Sequence, residues 1–183
     1  MSGALVLVVG PSGAGKDTLI NAARSELVHD DRFVFVRRVV TRDAVEDLED
    51  HDTIDAAQFD LRRRCGGFAL DWQAHGLSYA VPASIDAAMM VGRVVVANVS
   101  RTVIAQAAEK YGNCHVMLIT ATPEVRAERL AKRGRETQEA IAARLAREGA
   151  PLPRGVFPAI IDNSGAIDVG VRRFVKELTR IAG

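Results

Sequence analysis

A glycine-rich segment ending in lysine, residues 10–17, constrains this chain more than any other feature. It reads Gly10-Pro11-Ser12-Gly13-Ala14-Gly15-Lys16-Asp17. The apolar run at residues 4–9 before it predicts a buried strand, and residues 17–23 after it predict a helix. A GxxxxGK pattern between a strand and a helix indicates a phosphate loop, and the flanking elements disfavour a glycine-rich turn of another kind. We therefore predict a nucleoside triphosphate site in which backbone N–H groups, the helix start and Lys16 contact the phosphates.

Composition limits the class of protein. The chain has 183 residues, of which 48% are hydrophobic and 26% charged. These values are typical of one globular domain with a sizeable core. The formal net charge of +1 provides no broad positive field for nucleic acid or an anionic membrane, so we expect any anion site to be local.

The cysteines and the apolar segments predict a cytoplasmic protein. Cys65 and Cys114 are the two cysteines, and two free thiols in a reducing compartment are expected. The apolar run at residues 4–9 is too short to cross a bilayer and lacks the basic start of a signal peptide.

Strand-like and helix-like segments alternate along the chain. Five apolar, β-branched runs predict buried parallel strands at 4–9, Phe33–Val40, Val94–Asn98, Val116–Thr120 and Ala159–Ile161. One helix is predicted over 168–182 with Asp168 as its cap, and another from Thr122-Pro123-Glu124 to near Gly134. The alternation predicts an α/β fold with a doubly wound parallel sheet.

Two segments depart from this alternation. Residues 43–60 are rich in Asp and Glu and lack Lys and Arg, which predicts an excursion over the sheet. Residues 126–147 are dense in arginine, and most of these arginines are expected on solvated helix faces. Arg133 and Arg135 flank Gly134, a break at which they can close over a phosphoryl-transfer site, so we predict an arginine lid at about 130–150.

Several short stretches carry a resemblance to a known family. They are Gly15-Lys16-Asp17-Thr18-Leu19, Arg38-Val39-Val40-Thr41-Arg42, Glu49-Asp50-His51, Gly67-Phe68-Ala69-Leu70 with Trp72, Ala74-His75-Gly76-Leu77 with Tyr79, and Arg133-Gly134-Arg135-Glu136. With them the chain resembles the guanylate-kinase-like branch of the nucleoside monophosphate kinase fold, and within it the ribose 1,5-bisphosphate phosphokinases. The resemblance covers the full length.

The resemblance implies an architecture and a reaction. It implies a three-layer P-loop kinase with a five-stranded parallel sheet, a core at 1–40 and 85–183, and an acceptor-binding insertion at about 41–84. It also implies ATP-dependent formation of 5-phosphoribosyl 1-diphosphate in phosphonate breakdown.

Guanylate kinase is the alternative within the same branch. Such an enzyme holds the acceptor phosphate with two arginines and two tyrosines, and guanine with a carboxylate. Here Arg42 and Tyr79 match, residues 43–61 offer no second arginine, and His51 stands near the place of the other tyrosine. Asp71 lies about where the guanine-binding acid is expected, so this alternative stays open.

A sugar bisphosphate needs cations and hydroxyl partners instead of a flat base slot. The candidates for this acceptor site are Arg42, His51, His75, Tyr79 and Arg101. Tyr79 can instead pack on Trp72 as core, and His75 can cap a turn. His29 and His115 are expected to be structural.

The donor side of the predicted site comprises residues 10–18 and Asn163. Asp17 stands where a Ser or Thr usually holds Mg²⁺, so either Asp17 or the next residue, Thr18, is the expected metal ligand. Asn163 follows the fifth predicted strand and is expected near adenine, on position alone. Lys16, Arg133 and Arg135 are expected to neutralise the migrating phosphoryl group.

A non-catalytic binding module is the third possibility, since some guanylate-kinase-like domains bind protein ligands. Loss of the loop lysine or of the lid arginines would indicate it. Lys16, Arg133 and Arg135 are all present, which favours an enzyme.

Overall fold

The strands of this chain form two sheets in the computed structural model, which describes residues 3–41, 51–74, 76–132, 145 and 151–183. In chain order they are β1 (Ala4–Val9), β2 (Phe33–Phe35), β3 (Arg38–Thr41), β4 (His51–Ile54), β5 (Phe68–Ala74), β6 (Leu77–Pro82), β7 (Val94–Asn98), β8 (Cys114–Thr120) and β9 (Ala159–Asp162). The helices are α1 (Lys16–Glu26), α2 (Ala56–Arg64), α3 (Ile85–Met90), α4 (Ile104–Lys110), α5 (Pro123–Lys132) and α6 (Ile167–Ala182), with a short 3₁₀ turn at Arg101–Val103.

The larger sheet has five parallel strands in the order β2-β7-β1-β8-β9. Its central strand, β1, is apolar and buried throughout, because helices cover both faces of a parallel sheet. Phe174 and Leu178 of α6 pack with Leu19 of α1 on one face. Ile104 of α4 packs on the other face. The predicted α/β fold with a five-stranded parallel sheet is confirmed.

The apolar run Phe33–Val40 was predicted as one strand, and this is wrong. It divides at Val36-Arg37 into β2, which pairs with β7, and β3, which pairs with β4 and β6. Both halves bury apolar side chains, so hydrophobicity alone does not reveal that the chain changes sheets between them.

The smaller sheet has four strands in the order β4-β3-β6-β5. On one of its faces Val39 and Ala80 pack against Phe59 of α2. On the other face Trp72 and Val81 belong to the same apolar cluster as residues of β1. This second face is therefore turned towards the five-stranded sheet.

The two predicted helix starts have different outcomes. The start of α5 is confirmed, since the Thr122 hydroxyl accepts the Val125 N–H at 3.5 Å and the helix begins at Pro123. Its predicted end near Gly134 lies outside the described residues. Asp168 as the cap of α6 is wrong, because Ala166 occupies the cap position. Asp168 instead forms an ion pair with Arg172 at 2.8 Å within the first turns.

Both cysteines are free thiols, with Cys65 exposed and Cys114 half-buried. In the part of the chain that the structure describes, no helix has the length and apolar character needed to cross a bilayer.

We expect Phe174→Ala to lower the free energy of unfolding by about 3–5 kcal/mol, because it removes a fully buried ring between α6 and the sheet. Chemical denaturation measures this effect. Phe157→Ala is the matched control: that ring is 93% exposed, and its loss should change stability by less than about 0.5 kcal/mol. Equal losses for the two variants would contradict the position of α6.

Candidate active site

The phosphate loop, residues 10–17, needs glycine at three of its positions. A Cβ on Gly10 would lie 2.2 Å from the Ile119 backbone oxygen. Gly13 and Gly15 have φ of 80° and 90°, values that other residues rarely adopt. A Cβ on Gly15 would lie 2.5 Å from the side-chain nitrogen of Asn163, and one on Gly13 would lie 2.9 Å from the backbone oxygen of Arg126. The loop therefore packs closely against α5 and the end of β9.

Two carbonyls of the loop accept hydrogen bonds from outside it. The Arg126 Nε donates to the Ser12 carbonyl at 2.9 Å. The Ala14 carbonyl accepts from the Asn163 side-chain amide at 2.8 Å and from Arg129 at 3.3 Å. Arg129 also donates to the Asn163 carbonyl at 2.8 Å, which joins α5, β9 and the loop into one network.

These bonds fix the direction of the loop's N–H groups. In a trans peptide the N–H points opposite to the carbonyl of the same unit. With the Ser12 and Ala14 carbonyls held against α5 and Asn163, the N–H groups of Gly13 and Gly15 point the other way. This arrangement suits an anion on the opposite side of the loop.

Lys16 lies over the loop. Its Nζ donates to the carbonyls of Gly10 at 2.9 Å and Pro11 at 3.2 Å. The ammonium is half-buried at the first turn of α1, where the helix dipole also favours negative charge. We expect phosphate oxygens to replace these carbonyls as partners when a nucleotide binds.

Asn163 is only 1% exposed, and its side-chain nitrogen is engaged with Ala14. Its backbone N–H donates to Thr120 at 2.8 Å, which fixes the turn after β9. The side-chain oxygen has no partner among the described residues. In this geometry Asn163 holds the phosphate loop on the side of the Ala14 carbonyl. A contact with adenine would require its side chain to leave that position.

Asp17, a predicted metal ligand, contacts two donors. The buried Asn98 amide donates to its Oδ1 at 2.6 Å, and an Arg38 guanidinium nitrogen lies 3.7 Å from the same oxygen. A carboxylate oxygen that faces an N–H donor and a guanidinium is a poor place for a second cation. The described residues hold no group of three or more His, Cys, Asp or Glu side chains suited to a metal. Thr18 is exposed on α1.

Strand register places several polar side chains on one face of the four-stranded sheet. Arg38 is paired with His51, and Val40 with Tyr79, so Arg38, His51 and Tyr79 share a face by alternation. Tyr79 stacks on Trp72 with ring centroids 5.6 Å apart and planes 9° from parallel. This packing was the predicted alternative for Tyr79, and it leaves the ring half-buried.

Asp71 lies on the opposite face of that sheet. It neighbours Trp72 in β5 and is paired with Ala80, which packs against α2. Its carboxylate forms an ion pair with Arg63 of α2 at 3.2 Å. The structure therefore does not bring Asp71 and Tyr79 together as the two ends of a guanine slot.

Arg101 begins the 3₁₀ turn after β7, at the carboxyl end of the five-stranded sheet. Burial lowers the pKa of Arg126 below its ordinary value, and the nearby positive charge of Arg101 lowers it further. Arg101 is thus near the phosphate loop, where parallel α/β sheets usually bind ligands.

Four predicted site residues lie outside the described residues: Arg42, His75, Arg133 and Arg135.

Four residues of this site were not singled out as site residues from the sequence: Arg38, Asn98, Arg126 and Arg129. Most arginines of residues 126–147 were expected to be solvated, but Arg126 and Arg129 both contact loop carbonyls. The sequence did contain a signal for Asn98, because it is the last residue of a predicted parallel strand. The carboxyl ends of such strands meet at the edge of the sheet where ligands bind. Arg38 could not be found in this way, because its contact depends on the change of sheets after β2.

The relatives that are similar in sequence are named as ribose 1,5-bisphosphate phosphokinases, whereas the solved structures that share the fold are named as other kinases. A family profile described as an AAA domain matches residues 5–151. A ribose 1,5-bisphosphate phosphokinase of Brucella melitensis is 48% identical, covering 98% of this chain and 94% of the relative. One from Methylobacterium radiotolerans is 50% identical, covering 97% of this chain and 98% of the relative.

Two solved structures share the fold. A guanylate kinase from Anaplasma phagocytophilum superposes with a TM-score of 0.68 at 17% identity, covering 98% of this chain and 85% of the other. A gluconokinase from Sinorhizobium meliloti superposes with a TM-score of 0.53 at 20% identity, covering 99% of this chain and 94% of the other. At these identities the likeness concerns the fold alone.

We expect Asn163→Ala to weaken ATP binding by about tenfold, because the Ala14 carbonyl loses a buried donor worth roughly 1–3 kcal/mol. Calorimetry with ATP measures the change. Asn113→Ala is the matched control: its amide donates to the Gly3 carbonyl at 3.2 Å, before the start of β1 and away from the loop. That variant should lose stability and keep its ATP affinity. An unchanged affinity in Asn163→Ala would contradict the supporting role of Asn163.

Proposed function

The chain belongs to the ribose 1,5-bisphosphate phosphokinase family. We propose that its phosphate loop binds ATP, that its four-stranded sheet binds ribose 1,5-bisphosphate, and that the two together carry out the phosphoryl transfer. The γ-phosphoryl group of ATP passes to the 1-phosphate oxygen of ribose 1,5-bisphosphate. The bond between the γ-phosphorus and the oxygen that bridges it to the β-phosphate breaks, that oxygen stays on ADP, and the other product is 5-phosphoribosyl 1-diphosphate.

This reaction does not need a general base on the protein. The acceptor oxygen belongs to a phosphate that is already ionised near pH 7, so no proton has to be removed before attack. Catalysis then rests on placing the two phosphates in line and on neutralising charge. We assign this neutralisation to Lys16, with Arg133 and Arg135 closing over the site.

The position of Asp71 is the observation that most favours a sugar phosphate over GMP. Its carboxylate is paired with Arg63 and lies on the α2 side of the sheet. A guanine ring has N–H donors that need a buried acceptor. Asp71, the carboxylate expected in that role, does not share the face of Arg38, His51 and Tyr79 in the described part of the chain. The face that carries Arg38, His51 and Tyr79 offers cationic, imidazole and hydroxyl groups, which suit phosphate and ribose oxygens.

The division of labour along the chain follows from this assignment. We assign about residues 41–84 to acceptor binding, together with the rest of β3, which begins at Arg38. The remainder of residues 1–40 and residues 85–183 are assigned to the nucleotide-binding core, within which about 130–150 form the lid. Arg42, His75 and Arg101 join His51 and Tyr79 as acceptor ligands in this proposal. A cytoplasmic location accords with a substrate of this kind.

Mg²⁺ accompanies ATP in this proposal. When bound, it withdraws charge from the β- and γ-phosphates. It prefers substrate phosphates and water over an all-protein cage. Thr18 is the residue of this chain that we assign to it.

Assays with two acceptors test the proposed function. We expect the purified protein with ATP and Mg²⁺ to phosphorylate ribose 1,5-bisphosphate faster than GMP when both are present at equal concentrations below KM. Phosphorus NMR of the products identifies the diphosphate directly. Faster phosphorylation of GMP would make the chain a guanylate kinase, and transfer to neither acceptor would favour a binding module.

Lys16→Ala tests the donor side. We expect kcat to fall by about 100-fold or more, because a preorganised charge at the migrating phosphoryl group is lost. Lys176→Ala is the control, since Lys176 is exposed on α6. Near-normal turnover in Lys16→Ala with unchanged melting would remove the phosphate loop from the mechanism.

A further inference from the structure

Asp17 links the two sheets through a pair of contacts. Its Oδ1 accepts the Asn98 amide at 2.6 Å and lies 3.7 Å from an Arg38 guanidinium nitrogen. Asn98 ends β7 of the five-stranded sheet, and Arg38 begins β3 of the four-stranded sheet. Asp17 follows Lys16 in the first turn of α1.

The environment of Asp17 fixes its carboxylate before any substrate arrives. Asn98 is only 7% exposed, and its strand pairs with β1, so the amide has little freedom. An ionised carboxylate only accepts hydrogen bonds, which sets the orientation of that amide. The positive end of α1 stabilises the negative charge. Asp17 therefore presents a fixed anion to the start of β3.

Arg38 is the cation that meets this anion. Its side chain is 14% exposed, against 33% for Asp17, so Arg38 is largely withdrawn from water and Asp17 is partly exposed. By strand alternation it shares a face with His51 and Tyr79, both assigned above to the acceptor. The guanidinium thus lies where the acceptor-binding face meets the phosphate loop.

A guanidinium in this place can contact a carboxylate and a phosphate together. Arginine has five N–H donors in a planar fork, and it binds phosphate oxygens with two parallel hydrogen bonds. The phosphate that receives the γ-phosphoryl group must approach the loop from the acceptor side, in line with the β–γ bond. Arg38 lies between that side and the loop, since it is paired with His51 in the four-stranded sheet and contacts Asp17 in the first turn of α1.

We propose that Arg38 binds the acceptor phosphate that is phosphorylated, and that Asp17, held by Asn98, is its positioning residue rather than a metal ligand. This inference rests on the proposed function, because it assigns the contact to a phosphate acceptor.

Three single variants and the double variant Arg38→Met/Asp17→Asn test the inference. Arg38→Met keeps the length of the side chain and removes its charge, and Asp17→Asn keeps the shape of the carboxylate. Arg37→Met is the matched control: Arg37 is the adjacent arginine, is exposed, and lies 3.3 Å from Asp52. For each variant we would measure KM for ribose 1,5-bisphosphate, KM for ATP, and the Mg²⁺ concentration at half-maximal rate.

The expected pattern separates positioning from metal binding. Arg38→Met should raise the acceptor KM by about tenfold to a hundredfold, the size of a lost charge-assisted contact, and leave KM for ATP within about twofold. Asp17→Asn should raise the acceptor KM by a smaller factor and leave the Mg²⁺ curve in place. In the double variant the Asp17 change should add little, because the two residues act through one contact.

Other outcomes overturn the inference in distinguishable ways. An Asp17→Asn variant that shifts the Mg²⁺ curve and keeps the acceptor KM would make Asp17 a metal ligand. An Arg38→Met variant that melts at a lower temperature but keeps its acceptor KM would make the ion pair structural. Unmodified protein that transfers no phosphate to ribose 1,5-bisphosphate would overturn the proposed function and this inference with it.

Discussion

The hydrogen bonds to the Ser12 and Ala14 carbonyls are the interaction on which the rest of the site depends. A glycine-rich loop has many conformations available, and only those with inward N–H groups suit a phosphate. Arg126, Arg129 and Asn163 hold the carbonyls on the outer side, which turns the adjoining N–H groups inward. Because these partners come from α5 and the end of β9, the loop conformation depends on the packing of distant parts of the sequence. The phosphate site is thus a property of the whole five-stranded sheet.

The same arrangement relates the two sheets to each other. The loop leads directly into α1, whose first turn carries Asp17, and Asp17 contacts both Asn98 and Arg38. A rigid loop therefore gives a fixed position to the carboxylate that meets the four-stranded sheet, to which we assign the acceptor. This connection matters for phosphoryl transfer, because rates fall steeply when reacting groups are misplaced by about 1 Å. In this proposal the Asn98–Asp17 hydrogen bond and the Asp17–Arg38 ion pair join the donor and acceptor sites and keep them aligned.

The sequence predicted the parts of this structure that depend on local pattern. The phosphate loop, the buried β1 and the start of α5 at Thr122-Pro123 follow from glycine spacing, apolar runs and capping preferences, and all are observed. The division of Phe33–Val40 was missed, because two buried half-strands in different sheets have the same local pattern as one strand. The cap of α6 was predicted at Asp168, two residues after its observed position at Ala166. Helix ends are hard to locate from sequence to within one or two residues. The roles of Arg126 and Arg129 depend on contacts with residues more than a hundred positions away in the chain, which periodicity does not encode.

The arginines of this chain show how one residue type serves two purposes. Arg126 and Arg129 donate hydrogen bonds to backbone carbonyls. In this role the guanidinium is a large, planar donor that stays charged when it is buried. Arg38 instead lies at the surface that we assign to the acceptor phosphate, as Lys16 lies at the surface that we assign to the donor phosphates. A net charge of +1 leaves no general attraction for a substrate with two phosphates, so binding must come from cations at defined places. A carboxylate such as Asp17 then has a function beside an anionic substrate: it holds a cation in the orientation that the substrate requires, and its own negative charge is offset by that cation and by the helix start.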